Sequence, residues 1–197
     1  MGDNMREVEL TIQLLDELDE VTKNVEEQGY ELIQKYYIKD YYMIHKSVDL
    51  ELNNYSILKK CLLIREVKTD STHKYLIYKN KEYDNNGKIL SQNKVKINID
   101  SISEVKKILE LVDFHTLIEI ENNSLVYKKD NIEFTIQKIT DPKGLYIEME
   151  ANEEELKEKD DEIVKEVLKN KLNSLNLKTT GDYEVKKAFI SLNKRRG

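Results

Sequence analysis

The sequence predicts an α+β fold in a single domain, on three observations. Polar and apolar residues alternate strictly in several short runs, as in strands with one apolar face. Turn-forming residues separate these runs closely, which implies mostly antiparallel hairpins. Between them lie stretches whose apolar residues recur at helical spacing.

Glu7 to Leu14 opens the alternation as Glu, Val, Glu, Leu, Thr, Ile, Gln, Leu. Asp16 to Gln28 then puts Leu18, Val21 and Val25 on one helical face, and Gly29 ends the helix. Lys35 to His45, Cys61 to Lys68 and Lys74 to Asn80 are β-rich, with Ser47 to Lys60 a long irregular connection. Asp84-Asn85-Asn86-Gly87 makes a turn before the alternating run Lys94 to Ile99. Ser101 with Glu104 forms a capping-box signature, followed by Val105, Ile108, Leu109 and Val112 at helical spacing. Thr116 to Tyr127, Ile132 to Gln137 and Leu145 to Glu150 are strands parted by turns at 128–131 and 141–144. Glu153 to Leu175 starts acidic, as a helix N-terminus prefers, and Asp182 is placed to cap a last helix with Val185, Ala188, Phe189 and Leu192. Asn193 to Gly197 reads as a frayed tail on one domain spanning 1–197.

Composition sets the class. The chain has 197 residues, 39% hydrophobic and 36% charged, enough for a real core. One cysteine, Cys61, excludes an internal disulfide scaffold. No apolar run approaches the roughly 20 residues of a membrane span, and no export signal is visible at the start. A cytoplasmic protein, monomer or homodimer, with no membrane or nucleic-acid partner is the expectation; a net charge of −6 argues against bulk nucleic-acid binding. Arginine is scarce: Arg6, Arg65, Arg195 and Arg196 are all of it.

The polar faces of the strands either meet solvent, as antiparallel sheets often do, or line the inside of a curled sheet. Glu7 and Glu9 share one strand face, as do Glu148 and Glu150. Each pair sets two carboxylates about 7 Å apart. Such clustered carboxylates suit a hard divalent ion such as Mg²⁺ or Mn²⁺.

An N-terminal Glu-x-Glu strand, hairpins, and a late Gly-x-x-x-Glu-x-Glu strand followed by helices resemble the CYTH superfamily, over Glu7 to about Leu192. These triphosphate tunnel metalloenzymes include class IV adenylate cyclases, thiamine triphosphatases and inorganic triphosphatases. The resemblance implies an eight-stranded antiparallel barrel, open as a tunnel, with helices packed outside. It implies metal on Glu7, Glu9, Glu148 and Glu150, the last two following Gly144. Asp40 and Tyr42 match an Asp-x-Tyr in the second strand, Tyr42 being a substrate-binding candidate. Arg65 matches the second arginine of an Arg-x-Arg strand, and Lys79 a lysine of the strand after it. Glu7, Glu9, Arg65 and Lys79 are thereby the catalytic candidates. Arg65, Lys79, Lys94 and Lys96 are the candidates for holding phosphate.

The basic side departs from the pattern. Thr11 stands in place of lysine, Leu63, Gln92 and Ser124 in place of arginine, and Gln137 where an aspartate would help bind metal. Lys94 and Lys96 hold usual glutamate places. With both lysines inward the lining sums to about zero and two divalent ions add about +4; with both outward the lining is about −2. The implied function is metal-dependent hydrolysis of an inorganic, thiamine or nucleoside triphosphate. Metal would polarise the terminal phosphoryl group, and Arg65 and Lys79 would stabilise its oxygens. Hydrolysis is favoured over cyclisation by family prevalence and the lack of a nucleobase-reading feature. The alternative is a catalytically degenerate barrel that binds an anionic or phosphorylated metabolite as a sensor. His45, His73 and His115 lack metal-ligand spacing, and Cys61 reads as a packed thiol.

Overall fold

Eight strands and six helices make up the computed structural model, which describes residues 8–83, 89–157 and 160–196, with side chains described outside 80–93. The strands are β1 (Glu9–Leu14), β2 (Glu31–His45), β3 (Leu62–Lys68), β4 (Thr72–Tyr83), β5 (Ile89–Asn98), β6 (Phe114–Lys129), β7 (Ile132–Ile139) and β8 (Gly144–Glu150). The helices are α1 (Leu18–Glu27), α2 (Asn54–Leu58), α3 (Ile102–Leu111), α4 (Glu153–Leu156), α5 (Asp161–Ser174) and α6 (Lys187–Arg196). The strands form one antiparallel sheet in the order β1-β8-β7-β6-β2-β3-β4-β5. The expected eight-stranded antiparallel sheet with helices around it is therefore present. Among the described residues the strand order runs from β1 at one end to β5 at the other. No helix among the described residues is long and apolar enough to cross a membrane.

Two compact units divide the chain, one of residues 37–121 and 188–196 and the other of 8–36 and 122–187. In the second unit, alternation sorts β1, β7 and β8 into two faces. Leu10, Ile12, Leu14, Ile136, Ile147 and Met149 go to the apolar face, where they join Val21 and Val25 of α1 and Val164, Leu168 and Leu172 of α5 in one buried cluster. Burying such a side chain contributes about 1.5–3 kcal/mol. This face orients everything else, because a slip of one residue would bury the polar set. Helix α1 ends as the sequence predicts, with Gly29 at φ +85°, a conformation glycine adopts without a Cβ penalty.

In the first unit Met43, Ile64 and Leu109 are buried together, with Tyr41, Leu62, Leu76, Ile99, Ile102, Val105 and Phe114 packed against them. Ser101 caps α3 by accepting a hydrogen bond from the Glu104 amide at 3.2 Å, as its capping-box spacing predicts. Val105 and Leu109 turn inward, while Ile108 and Val112 of the expected apolar stripe are exposed.

Three local expectations differ from the structure. The expected irregular connection contains α2, whose Asn53 cap accepts from the Ser56 amide. The expected single acidic helix is two: Asn152 closes a capping box on α4, and Asp160 caps α5. The last helix begins at Lys187 because the preceding chain runs along the outer edge of β1. There the Thr11 amide donates to the Tyr183 carbonyl and the Val185 amide to the Thr11 carbonyl. Backbone groups that an early helix would satisfy internally are instead spent on that edge.

Candidate functional site

The polar face of the first unit carries cations. In β3 paired with β2, Arg65 lies directly opposite Asp40; in β4, Tyr75 lies opposite Arg65. In β5, Lys94 is opposite Lys79, and Lys96 is opposite Ile77. Directly opposed residues share a face, as do residues two apart along a strand. Arg65, Lys79, Lys94, Lys96, Asp40 and Tyr42 therefore all project to the same side. The opposite side is the one covered by α3.

Arg65 is fixed on this face by a two-pronged bond: Nε donates to Asp40 Oδ1 at 2.7 Å and Nη2 to Oδ2 at 2.6 Å. Asp40 is only 6% exposed, so its carboxylate is sheltered from water and holds the guanidinium plane in one orientation. Lys96 sits with Nζ 3.6 Å from the centre of the Tyr75 ring. Partial burial, then the neighbouring charges of Lys94 and Arg65, pull its pKa below the ordinary lysine value. That repulsion marks three cations close enough to feel one another, the electrostatic signature of a place suited to an anion. Burial, and then Asp40, push the Tyr42 phenol up against the opposing pull of Arg65, so it stays a hydrogen-bond donor through neutral pH. Leu63, standing where the resemblance expects arginine, is buried on this face between Tyr42 and Ile77.

The polar face of the second unit carries acids. Glu9 is directly opposite Glu150, and Thr11 is opposite Glu148, with Thr135 of β7 on the other side of Glu148. Glu7 lies outside the described residues. A Cβ on Gly144 would come to 3.0 Å from the Tyr146 ring, so the ring would have to give by a few tenths of an ångström.

Glu148 is held by a residue the sequence reading did not single out. Lys187, the first residue of α6, donates from Nζ to Glu148 Oε2 at 2.7 Å and to Gln137 Oε1 at 2.6 Å. Thr11 Oγ1 reaches the same carboxylate oxygen at 3.4 Å. Burial raises the cost of ionising Glu148, but Lys187 and the hydrogen bonds from Lys187, Thr11 and Gln137 outweigh it and hold the carboxyl below its usual range. Thr11 and Gln137, two of the departures from the family pattern, thus serve this pair. Ser124, a third, donates to Asn122 at 2.7 Å, both buried. The side chain of Gln92 lies outside the described residues. Lys187 carried no sequence signal because it sits outside the strands, where no period marks its direction.

A hard divalent ion needs oxygen donors, and magnesium is commonly held by one or two carboxylates together with substrate phosphates. Glu9 and Glu150, opposed across β1 and β8, offer that donor set. Glu148 does not, because an ammonium already occupies it. An ion within about 4 Å of that ammonium would meet repulsion of about 8 kcal/mol at an effective dielectric near 20. No cluster of three or more His, Cys, Asp or Glu fit for a metal occurs among the described residues. Cys61 is no nucleophile: burial pushes its thiol up to about 12.

No family model matches the chain, and no curated protein matches it in sequence. Solved structures do match. PH1819 of Pyrococcus horikoshii is 21% identical with a TM-score of 0.69, covering 97% of this chain and 100% of its own. A candidate adenylate cyclase of Vibrio parahaemolyticus is 15% identical with a TM-score of 0.62, covering 93% and 95%. HpAC1 of Hippeastrum, a candidate adenylyl cyclase with a dominant triphosphatase activity, is 14% identical with a TM-score of 0.63, covering 96% of each chain. The chain shares the fold of these three proteins over 93% to 97% of its length.

Proposed function

We propose that the protein binds a triphosphate-containing small molecule and hydrolyses it with a divalent metal ion, Mg²⁺ or Mn²⁺. The observation that carries this reading is the set Arg65, Lys79, Lys94 and Lys96 on one face of the first unit, against the single carboxylate Asp40. A likeness of fold to a protein with dominant triphosphatase activity supports it.

Each side chain has a task in this reading. Arg65, pre-oriented by Asp40, brings a planar guanidinium to the phosphate oxygens. Lys79, Lys94 and Lys96 add point charges that spread along a polyanion, and stabilise the charge that grows on its oxygens during transfer. Tyr42 donates one hydrogen bond. Glu9 and Glu150 would hold the metal, which supplies polarisation of the terminal phosphoryl group. The nucleophile in this reading is water.

A second reading, binding without turnover, is favoured by one observation: Glu148 is committed to Lys187. The two separate in a single assay of phosphate release from inorganic triphosphate, thiamine triphosphate and nucleoside triphosphates, with Mg²⁺ or Mn²⁺. Turnover that vanishes in Glu9→Gln and in Arg65→Ala establishes the first. Thermal stabilisation by these compounds without turnover establishes the second. Neither turnover nor stabilisation sinks both.

A further inference from the structure

We propose that Lys187 is the resident cation of the acidic face of the second unit, an ammonium that takes the position a divalent ion would otherwise take at Glu148. The inference deepens the reading of Glu9 and Glu150 as metal-bearing groups, and limits what that face accepts. It stands on the geometry of one cluster. The ammonium of Lys187 is bonded to Glu148 and to Gln137 at 2.7 and 2.6 Å, and the Thr11 hydroxyl completes the carboxylate's surroundings. The side chains of Lys187 and Glu148 are 20% and 27% exposed, so this is a partly sheltered pair rather than two surface charges brushing in water.

The chemistry of the partners agrees. Gln137 faces Lys187 with its carbonyl oxygen, which accepts one of the three N–H bonds of the ammonium while Glu148 accepts another. A glutamine there leaves the cluster with one negative and one positive charge, balanced by the chain alone. An aspartate in its place would have left a net negative charge and called for an added cation. Thr11 acts in the same sense. A lysine at that position on β1, directly opposite Glu148, would bring a second ammonium to the same carboxylate. One lysine, Lys187, arriving from the far end of the sequence, meets the need of Glu148, and Thr11 and Gln137 are the residues that let it do so.

Two consequences follow. While Lys187 is bonded to it, Glu148 is closed to a divalent ion, and any ion on this face falls to other oxygen donors. Removal of the ammonium should also open Glu148 to a divalent ion, because the carboxylate then keeps its oxygen donors and loses its cation.

The test is Mn²⁺ titration of the full chain followed by electron paramagnetic resonance, which counts free ion and needs no turnover. Lys187→Met is expected to bind one more Mn²⁺ per chain than the wild type, Lys187→Arg the same number as the wild type, and Lys187→Met with Glu148→Gln to lose the added ion. Equal binding by wild type and Lys187→Met overturns the proposal. Should Lys187→Met fail to fold, Glu148→Gln alone decides. It leaves the wild-type Mn²⁺ count unchanged if Lys187 is the cation there, and lowers it if Glu148 is a metal ligand. The wild-type count itself tests the other reading separately: zero ions removes metal from Glu9 and Glu150 without touching the role of Lys187.

Discussion

The polar faces of the two units are built by the same rule and used in opposite ways. Both arise from period-two alternation, and both have an apolar reverse side covered by helices. On the first unit, four cations share a face with the carboxylate Asp40, and burial, then the charges of Lys94 and Arg65, lowers the pKa of Lys96. On the second, carboxylates gather, and a lysine from outside the strands neutralises the most sheltered of them. An excess of like charge left within a fold is a cost that a bound counter-charge removes; a balanced pair has no such need. On the proposed reading, the difference assigns anion recognition to the first unit and a stabilising role to the pair in the second.

That contrast can be broken in several places. The largest effect is expected from Arg65→Ala, which strands the buried Asp40 carboxylate. The loss should be about 3–5 kcal/mol in urea unfolding, and Asp40→Asn in the same chain should restore part of it. If Arg65→Ala is silent, the guanidinium is not anchored as described. Next, Ile64→Ala and Ile147→Ala probe the apolar sides, where the units are alike. Both side chains are buried at 0% and 1% exposure, so each truncation should cost about 2–5 kcal/mol. A large disparity between them would mean that the two reverse faces are not equivalent.

Smaller effects test the charges. Lys96→Gln removes an exposed cation and should leave the melting temperature nearly unchanged. It should still weaken binding of inorganic triphosphate about tenfold, as the loss of a charge-assisted contact does. Calorimetry in buffers of different ionisation enthalpy should show proton uptake on binding at alkaline pH, since a bound anion raises the pKa of Lys96 from its lowered value. The smallest effect concerns Glu121 in the first unit, whose carboxyl is held low chiefly by its hydrogen bond from Lys39. A carboxylate with a lowered folded pKa contributes stability above its unfolded pKa and loses it as pH falls through the folded value. Glu121→Gln should therefore lower stability at neutral pH by under about 1 kcal/mol, and the gap to wild type should close on acidification.

Much of this was legible from the sequence, for a physical reason. Alternation of period two fixes which side chains share a face within a strand, and only the register of β3, β4 and β5 brings Lys94 and Lys96 to the face of Arg65 and Lys79. Ser101 and Gly29 marked helix ends because caps and left-handed residues are local chemistry. The last helix was misplaced because its early residues satisfy their backbone on the edge of β1, a choice made by tertiary pairing and not by propensity. Lys187 escaped notice for the same reason. Its direction is set by where α6 begins, and 39 residues of chain separate it from Glu148.

Titration of inorganic triphosphate into the full chain without metal, followed by calorimetry on wild type and Lys96→Gln, decides whether the cationic face of the first unit takes up a polyanion. Saturable binding is expected, about tenfold weaker in the variant and declining with added salt, the two proteins melting alike. Equal affinity in both, or no binding by a folded wild type, would contradict it.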